Sequence, residues 1–207
     1  GTTISFGTVV QYTTSAGIQC MTYDSTNQKI VIIYRDVGNS SYGTAIVGTV
    51  SGTSISFGSP ATFNSANTSS LSASYDANAQ KIFIAYRDNG NSSYGTGIVG
   101  TVSGTSISFG SPTVFESARI NFVATAYDAS AQKVVAFYRD ELDSNKGTAV
   151  VGTISGTSVS FGSVVVFAEP ANIAISAAYD ANASKVVVCY QNGSSQGGVV
   201  SGKVGGT

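Results

Sequence analysis

The sequence has no histidine, no tryptophan, one methionine and two cysteines among 207 residues. Without histidine, neither a Ser-His-Asp nor a Cys-His catalytic arrangement can form. Cys20 and Cys189 are too few for a disulfide scaffold and lack histidine partners for a zinc site. Both lie in apolar segments, so we expect buried free thiols. A disulfide between them stays open as an alternative if the two ends of the chain are neighbours.

Charge is also scarce: charged residues make up 10% of the chain and the net charge is -1. Such a chain has no strong field to attract nucleic acid or an acidic membrane. No apolar run approaches the ~18 residues of a membrane span. We therefore predict no nucleic-acid partner and no membrane insertion. Because the chain begins with Gly1 instead of methionine, we expect it to be part of a longer chain or a larger assembly.

What the sequence does contain is a repeat with a period of 52 residues. An aspartate, a lysine and a tyrosine each recur at that interval. The aspartates are Asp24, Asp76, Asp128 and Asp180, and the tyrosines are Tyr34, Tyr86, Tyr138 and Tyr190. We predict a single domain of four units, covering approximately residues 11–58, 63–110, 115–162 and 167–207, with residues 1–10 completing the last unit.

Each unit is expected to contain four antiparallel strands and no helix. The first strand carries small residues, and the second is apolar without alternation, which indicates burial on both faces. The fourth strand, Ser54-Ile-Ser-Phe57, alternates as a half-exposed edge strand does. We accordingly predict that Ile32, Ile84, Ala136 and Val188 of the second strands are almost inaccessible.

Four strands in about 50 residues is the size of a propeller blade. The opening segment, residues 1–7, matches residues 52–58, and the chain ends where a fourth strand is due. We therefore predict an all-β, four-bladed β-propeller. Its ring would be closed by Thr3–Gly7 pairing with the last blade around Val199–Val204, which would cover an exposed sheet edge.

The loop between the second and third strands is the candidate ligand site. Arginine and aspartate offer a charge-assisted donor and acceptor, asparagine offers both, and tyrosine offers an apolar face with a hydroxyl. The third and fourth copies of this loop depart from the first two. The candidate residues are Arg35, Asp36, Asn39 and Tyr42 in the first copy and Arg87, Asp88, Asn91 and Tyr94 in the second.

Other interpretations of these residues remain open. The Arg-Asp pairs can be architectural, and the variable connectors around 64–68 and 116–121 can form the site instead. The acids of the Asp36 and Asp140 loops are too sparse for a dedicated calcium site. A propeller glycosidase needs two carboxylates facing each other in a cleft. Here the acids outside the repeat pattern are scattered. We therefore expect no catalytic residue, no metal and no cofactor.

The segment from Tyr34 to Gly58, with its Tyr-Arg-Asp start and its Gly-Thr-Ser-Ile-Ser-Phe-Gly end, resembles repeats in tail-fibre-like proteins of marine and environmental phages. The resemblance covers nearly the whole chain and brings no catalytic motif with it. It implies a receptor-recognition or adhesive role and a location outside a cell or on a virion surface.

Two functions remain from the sequence. One is a non-enzymatic, lectin-like module that binds a cell-surface glycan or receptor through several blades, so that weak single sites sum to avidity. The other is a structural spacer or oligomerisation module of a fibre, without a ligand of its own.

Overall fold

The structure is a computed structural model that describes residues 1–205, apart from the side chains of residues 171–173. These residues form an all-β fold in which each repeat begins with an antiparallel meander. We refer to residues 11–58, 63–110, 115–162 and 167–205 as repeats 1 to 4. The described part of the chain contains no helix long and apolar enough to span a membrane.

The strands follow the repeat closely. Repeat 1 contains β1 (Ala16–Asp24), β2 (Lys29–Asp36), β3 (Tyr42–Ser51) and β4 (Ser54–Phe57). Then come β5 (Ala61–Asp76), β6 (Lys81–Asp88), β7 (Tyr94–Ser103), β8 (Ser106–Phe109), β9 (Thr113–Asp128), β10 (Lys133–Asp140), β11 (Lys146–Ser155) and β12 (Ser158–Phe161). The last are β13 (Val165–Ala168), β14 (Ala171–Asp180), β15 (Lys185–Asn192) and β16 (Gly197–Gly202).

The turn between the first two strands of each repeat is fixed by its repeated aspartate. Asp76 Oδ1 accepts hydrogen bonds from the backbone N–H groups of Asn78 and Ala79, at 2.9 and 2.8 Å. Asp24, Asp128 and Asp180 accept equivalent pairs. An aspartate side chain that bonds the backbone two and three residues ahead stabilises a tight turn. These aspartates are therefore structural.

The repeats are joined by long strands that belong to two of them. Residues 61–67 of β5 pair with β3 of repeat 1, and residues 68–76 pair with β6 of repeat 2. Strand β9 links repeats 2 and 3 in the same way. As a result, β1 to β13 form one 13-stranded sheet, whereas β14, β15 and β16 form a separate three-stranded sheet.

The prediction of a closed four-bladed propeller is wrong. The strands form one long antiparallel sheet and one small one, and no ring closes within residues 1–205. Residues 1–10 form no strand, so Thr3–Gly7 does not pair with β16, whose described pairing is with β15 alone. Among the first strands, β1 contacts β5, β5 contacts β9 and β9 contacts β14. The described residues show no comparable contact between β14 of repeat 4 and β1 of repeat 1.

The core lies between successive repeats. This agrees with the second strands, whose continuous apolar residues indicate burial on both faces. Ile32, Ile84, Ala136 and Val188 are all buried, and that prediction is confirmed. One apolar cluster joins repeats 1 and 2, a second joins repeats 2 and 3, and a third joins repeats 3 and 4. Each repeat thus buries its apolar faces against its neighbours instead of folding around a core of its own.

The two cysteines are free and do not form a disulfide. Cys20 is partly buried, and burial raises the pKa of its thiol to about 12. Cys189 is exposed, contrary to the expectation of a buried thiol, because no neighbouring repeat covers its side of β15 in the described structure.

Candidate functional site

The loops between the second and third strands of repeats 1 to 3 share one backbone conformation. In repeat 2, Asn91 N donates to Asp88 O at 3.1 Å and Tyr94 N donates to Asn91 O at 3.0 Å, and repeat 1 has the same two bonds. Two consecutive residues in each of these three loops take positive φ, such as Ser92 at 52° and Ser93 at 64°. This conformation costs energy for a residue with a side chain, so the loop is held by its surroundings.

The aspartates of the candidate site organise these loops. Asp88 Oδ1 accepts hydrogen bonds from Gly90 N at 3.0 Å and from Asn64 Nδ2 at 3.1 Å, which ties the loop to the connector from repeat 1. Asp140 Oδ1 accepts from Leu142 N and Asp143 N in repeat 3. In repeat 1, Asp36 is half-buried at the end of β2. The carboxylate of Asp88 is thus already engaged by the protein.

The remaining candidate residues are placed in two layers. Asn39 and Asn91 are exposed at the loop tips, whereas Tyr42 and Tyr94 are half-buried at the start of the third strands. Arg35 lies against the backbone of Gly17, where a Cβ would approach its Nε to 2.6 Å. Arg35 and Arg87 are also half-buried, and Arg35 thus lies beside the first strand of its repeat, whereas Arg87 bonds Ser93 of its own loop.

Arg87 belongs to a polar network that crosses from the loop to the first strand. Its Nη2 donates to Ser93 Oγ at 3.2 Å, and Ser93 Oγ donates to Asn89 Oδ1 at 3.2 Å. Asn89 Nδ2 in turn contacts Ser69 Oγ at 3.1 Å and Asn67 Oδ1 at 3.2 Å. Burial lowers the pKa of Arg87, and Arg119 and Arg139 lower it further, while Glu141 opposes them.

A second network surrounds Glu141 in repeat 3. Arg119 Nε lies 2.5 Å from Glu141 Oε2, and Arg139 Nη2 donates to Glu141 Oε1. Asn121 Nδ2 donates to the same Oε1 at 3.2 Å and its Oδ1 accepts from Ser70 Oγ of repeat 2. Burial alone would raise the pKa of Glu141, but the hydrogen bonds from Arg139 and Asn121 and the charge of Arg119 lower it overall.

These networks adjoin a cavity of about 310 Å³ between the first strands of the four repeats. We call it the central cavity. Asn121 and Ser70 are its polar lining residues, and the Arg139 guanidinium carbon lies 4.7 Å from the centroid of the Phe122 ring. The other lining residues are apolar: Ile18, Leu71, Val123, Ala174 and Ile175.

The first strands are irregular where they reach this cavity. Ser70, Phe122 and Ala174 take positive φ, between 45° and 55°. The strand register shifts at the same place in repeats 2, 3 and 4. Positive φ in a β-strand is costly for residues other than glycine, and such strain clusters at binding sites. A bulge there re-aims side chains, here towards the shared cavity.

Sequence reasoning about the loops did not single out Ser70, Asn121, Phe122 or Glu141 as a site. One signal was available: the four copies differ at the bulge, with Ile18, Ser70, Phe122 and Ala174 at equivalent positions. The connectors named as an alternative site contribute Asn67, Arg119 and Asn121 to the two networks. The structure therefore brings Asn121 of a connector to the central cavity, places Arg87 in the network beside it and leaves Asn39 and Asn91 at the loop tips.

The chemistry of this arrangement suits recognition of a polar molecule. The Glu141 carboxylate is engaged by two arginines, and its lowered pKa makes it a poor proton donor. Glu116 has a raised pKa because it is buried, but its Oε2 accepts a 2.9 Å hydrogen bond from Tyr138 in the packed interior. Among the described residues, no cluster of three His, Cys, Asp or Glu side chains could hold a metal ion.

Comparison with known proteins gives no family for this chain. No family model matches it, and no curated protein matches it significantly.

Proposed function

We propose that this chain is a non-enzymatic binding module that recognises a glycan or a similarly polar surface ligand at the central cavity. The observation that carries the proposal is the cavity's lining, which combines the Phe122 ring with Asn121 and Ser70, while the Arg139 guanidinium lies over the Phe122 ring. An aromatic face packs against the apolar side of a sugar ring, while amide and guanidinium groups bond its hydroxyls. A largely apolar concave site with a few convergent polar groups is typical of ligand binding.

The loop residues Asn39, Tyr42, Asn91 and Tyr94 form a second possible contact region under this proposal. Asn39 and Asn91 are exposed donors and acceptors, and the tyrosines stand beside them. In an attachment role on a cell or virion surface, the copies would act together, because linked weak sites give avidity. Arg35, Asp36, Arg87 and Asp88 would then hold these loops in place.

The test is a glycan-array screen of the purified chain, followed by calorimetry on the glycans that bind. Phe122→Asn is the sharpest variant, because asparagine tolerates positive φ and the change removes the ring without straining the backbone. We expect it to weaken binding by at least about tenfold, or roughly 1.4 kcal/mol. Its melting temperature should be unchanged or slightly higher.

Two further variants make the result specific. The double change Tyr42→Ala and Tyr94→Ala tests the loops, and Val37→Ala serves as a control because Val37 is an exposed apolar residue of a loop. Loss of binding in the double variant alone would move the site to the loops. If no glycan binds the unaltered chain, the binding proposal is wrong.

The second candidate function is a structural spacer or assembly module of a fibre. It is favoured by exposed apolar residues at the two ends of the repeat array, including Val199 and Tyr23. A chain that binds no ligand but assembles with itself would fit this function.

A further inference from the structure

The two ends of the repeat array leave open two faces that are buried at every internal boundary between repeats. We define the repeat 4 end face as Val187, Cys189, Val199 and Ser201. We define the repeat 1 end face as Met21, Tyr23, Ile30, Val50 and Ile55. Each set consists of exposed or half-buried residues whose counterparts pack against a neighbouring repeat elsewhere in the same chain.

The boundary between repeats 1 and 2 shows how such faces pack. Repeat 1 contributes Val31, Ile33, Ala45 and Val47, all of them fully inaccessible. Repeat 2 contributes a complementary set that includes Ile82, Ile84, Val102 and Ile107, with Ala73 and Tyr75 packed against it. The same two sets recur between repeats 2 and 3 and between repeats 3 and 4.

The four residues of the repeat 4 end face correspond, by repeat spacing and strand register, to residues of repeat 1. The equivalents of Val187, Cys189, Val199 and Ser201 are Val31, Ile33, Ala45 and Val47, respectively. Cys189 and Ser201 are exposed, and Val199 has an exposed fraction of 70%. Val187 is half-buried. The opposite face of the same sheet, with Val186 and Val188, is buried against repeat 3. Repeat 4 is therefore covered on one side only.

The repeat 1 end face shows the reciprocal exposure. Val50 has an exposed fraction of 55%, whereas Val102, its counterpart in repeat 2, has 7%. Ile55 is half-buried, whereas Ile107 and Val159 at the same position are buried. Met21 and Tyr23 are exposed, while Ala73 and Tyr75 at the equivalent positions pack against repeat 1.

At each internal boundary, a tyrosine hydroxyl forms a hydrogen bond with the preceding repeat. Tyr75 Oη donates to Thr26 Oγ1 of the preceding repeat at 2.6 Å. Tyr127 Oη accepts from Asn78 N and Tyr179 Oη from Ser130 N, both at 3.2 Å. Tyr23 is the equivalent tyrosine of repeat 1 and is exposed. In repeat 4, the turn position that corresponds to Asn78 and Ser130 is Asn182.

The N-terminal segment is held where a preceding repeat would place its fourth strand. A Cβ on Gly7 would lie 1.9 Å from Thr53 O, and a Cβ on Gly58 would lie 1.9 Å from Thr105 O of repeat 2. Gly7 thus approaches repeat 1 as Gly58 approaches repeat 2. Residues 3–6 also have the fourth-strand sequence, but Phe6 has an exposed fraction of 85%.

A cavity of about 450 Å³ lies where repeat 4 would receive this strand. In repeat 3, Phe161 of the fourth strand packs 5.4 Å from Phe115 and 6.1 Å from Phe83, and lies over Gly97. One repeat later, the equivalents of these three partners are Phe167, Val135 and Ala149. All three line the cavity, together with Val186, Gly202 and Val204 of repeat 4.

We propose that the repeat 4 end face of one molecule binds the repeat 1 end face of a second copy of this chain, reproducing the internal boundary between repeats. The second copy brings its residues 3–6 to the free edge of β16, so that Phe6 enters the 450 Å³ cavity and pairs opposite Gly202. Its Tyr23 hydroxyl meets the turn at Asn182. The contact is heterologous, because two different faces meet.

Sedimentation of the purified chain over about a hundredfold range of concentration tests this proposal. We expect the mean mass to rise with concentration. Val199→Asp on one face and Phe6→Asp on the other should each weaken association at least about tenfold. Both residues are exposed in the isolated chain, so circular dichroism should be unchanged. Leu142→Asp is the matched control, because Leu142 is an exposed apolar residue of a loop and should leave association intact.

Mixing the two variants tests the heterologous geometry. A Val199→Asp chain retains an intact repeat 1 end face, and a Phe6→Asp chain retains an intact repeat 4 end face. Their mixture should form a one-to-one complex, although neither variant associates alone. A symmetric contact between identical faces would not be restored in this way.

Three outcomes would overturn the proposal. The first is a chain that stays monomeric throughout the concentration range, which includes the case in which its own residues 3–6 cover β16. The second is association that survives both aspartate variants. The third is a mixture that stays monomeric when the unaltered chain associates. None of these outcomes bears on glycan binding, which is measured at the central cavity.

Discussion

Ala85 in repeat 2 and Cys189 in repeat 4 occupy the same position of the second strand, yet Ala85 is inaccessible and Cys189 is exposed. The same contrast separates the interior repeats 2 and 3 from the terminal repeats 1 and 4 at many positions. The interior repeats are covered on both faces by their neighbours, and each terminal repeat is covered on one. Whether a residue of this chain is buried thus depends as much on the presence of a neighbouring repeat as on the hydrophobic pattern of its own strand.

The largest expected effect is on folding itself. Ala85→Asp should prevent folding, because it places an unpaired charge between repeats 2 and 3, where a carboxylate cannot be hydrated. Cys189→Asp makes the same kind of change at the exposed equivalent position and should fold normally. Circular dichroism and urea unfolding of dilute samples measure both. Similar stability of the two variants would show that the interior and terminal repeats do not differ as described.

The next effect concerns the fourth-strand phenylalanines. Phe161→Ala should lower the free energy of unfolding by about 3 kcal/mol, because the ring packs against Phe115 and Phe83. Phe6→Ala should change it by less than about 0.5 kcal/mol in a dilute monomer, because its ring is exposed. Urea unfolding checks the pair. A large loss for Phe6→Ala in the monomer would show that residues 3–6 already pack within their own chain.

A smaller effect is expected for the boundary tyrosines. Tyr127→Phe removes the oxygen that accepts from Asn78 N and should cost about 1 kcal/mol. Tyr23→Phe should cost nothing measurable in the dilute monomer, because Tyr23 is exposed. Repeating the comparison at high protein concentration sharpens the test, because Tyr23→Phe should then weaken association between copies of the chain.

The smallest expected effect is a pH dependence of the folding stability that arises from Glu141 in the interior repeat 3. The pKa of Glu141 is lower in the folded chain than in the unfolded chain, so its contribution is present above the ordinary glutamate pKa. That contribution is lost as the pH falls through the folded value. Glu141→Gln should therefore reduce stability at neutral pH and flatten its decline in acid. Urea midpoints between neutral and acidic pH, compared with the unaltered chain, provide the measurement.

The strand pattern and the buried second strands could be predicted because each rests on local periodicity. Ile84 lies in an unalternating apolar run, and such a run must be covered on both faces wherever a neighbour exists. The bulges could not be predicted in the same way. Ser70, Phe122 and Ala174 take positive φ without the glycine that would normally signal it, because cross-repeat contacts hold them there.

The role of the loop residues in binding stays a prediction, but part of their placement followed from the sequence. Arg87 and Asp88 lie where the loop was expected, and the connectors supply Asn64, Arg119 and Asn121. The hydrogen bond between Ser70 and Asn121 and the electrostatic coupling of Arg87 to Glu141 could not be foreseen, because each joins residues of two successive repeats. A loop sequence specifies its own turn, but it does not specify which neighbouring strand its arginine will face.

By itself, the sequence determined the repeat, the number of strands in it, the turns fixed by Asp24 and its equivalents, and the residues that need cover. The tertiary structure decided how the repeats are joined and left the array unclosed. Closure depends on the rotation accumulated from one repeat to the next, which arises from packing at each boundary and is not written in any single repeat. For that reason Phe6 matches Phe161 in sequence, while only Phe161 has a neighbouring repeat to pack against.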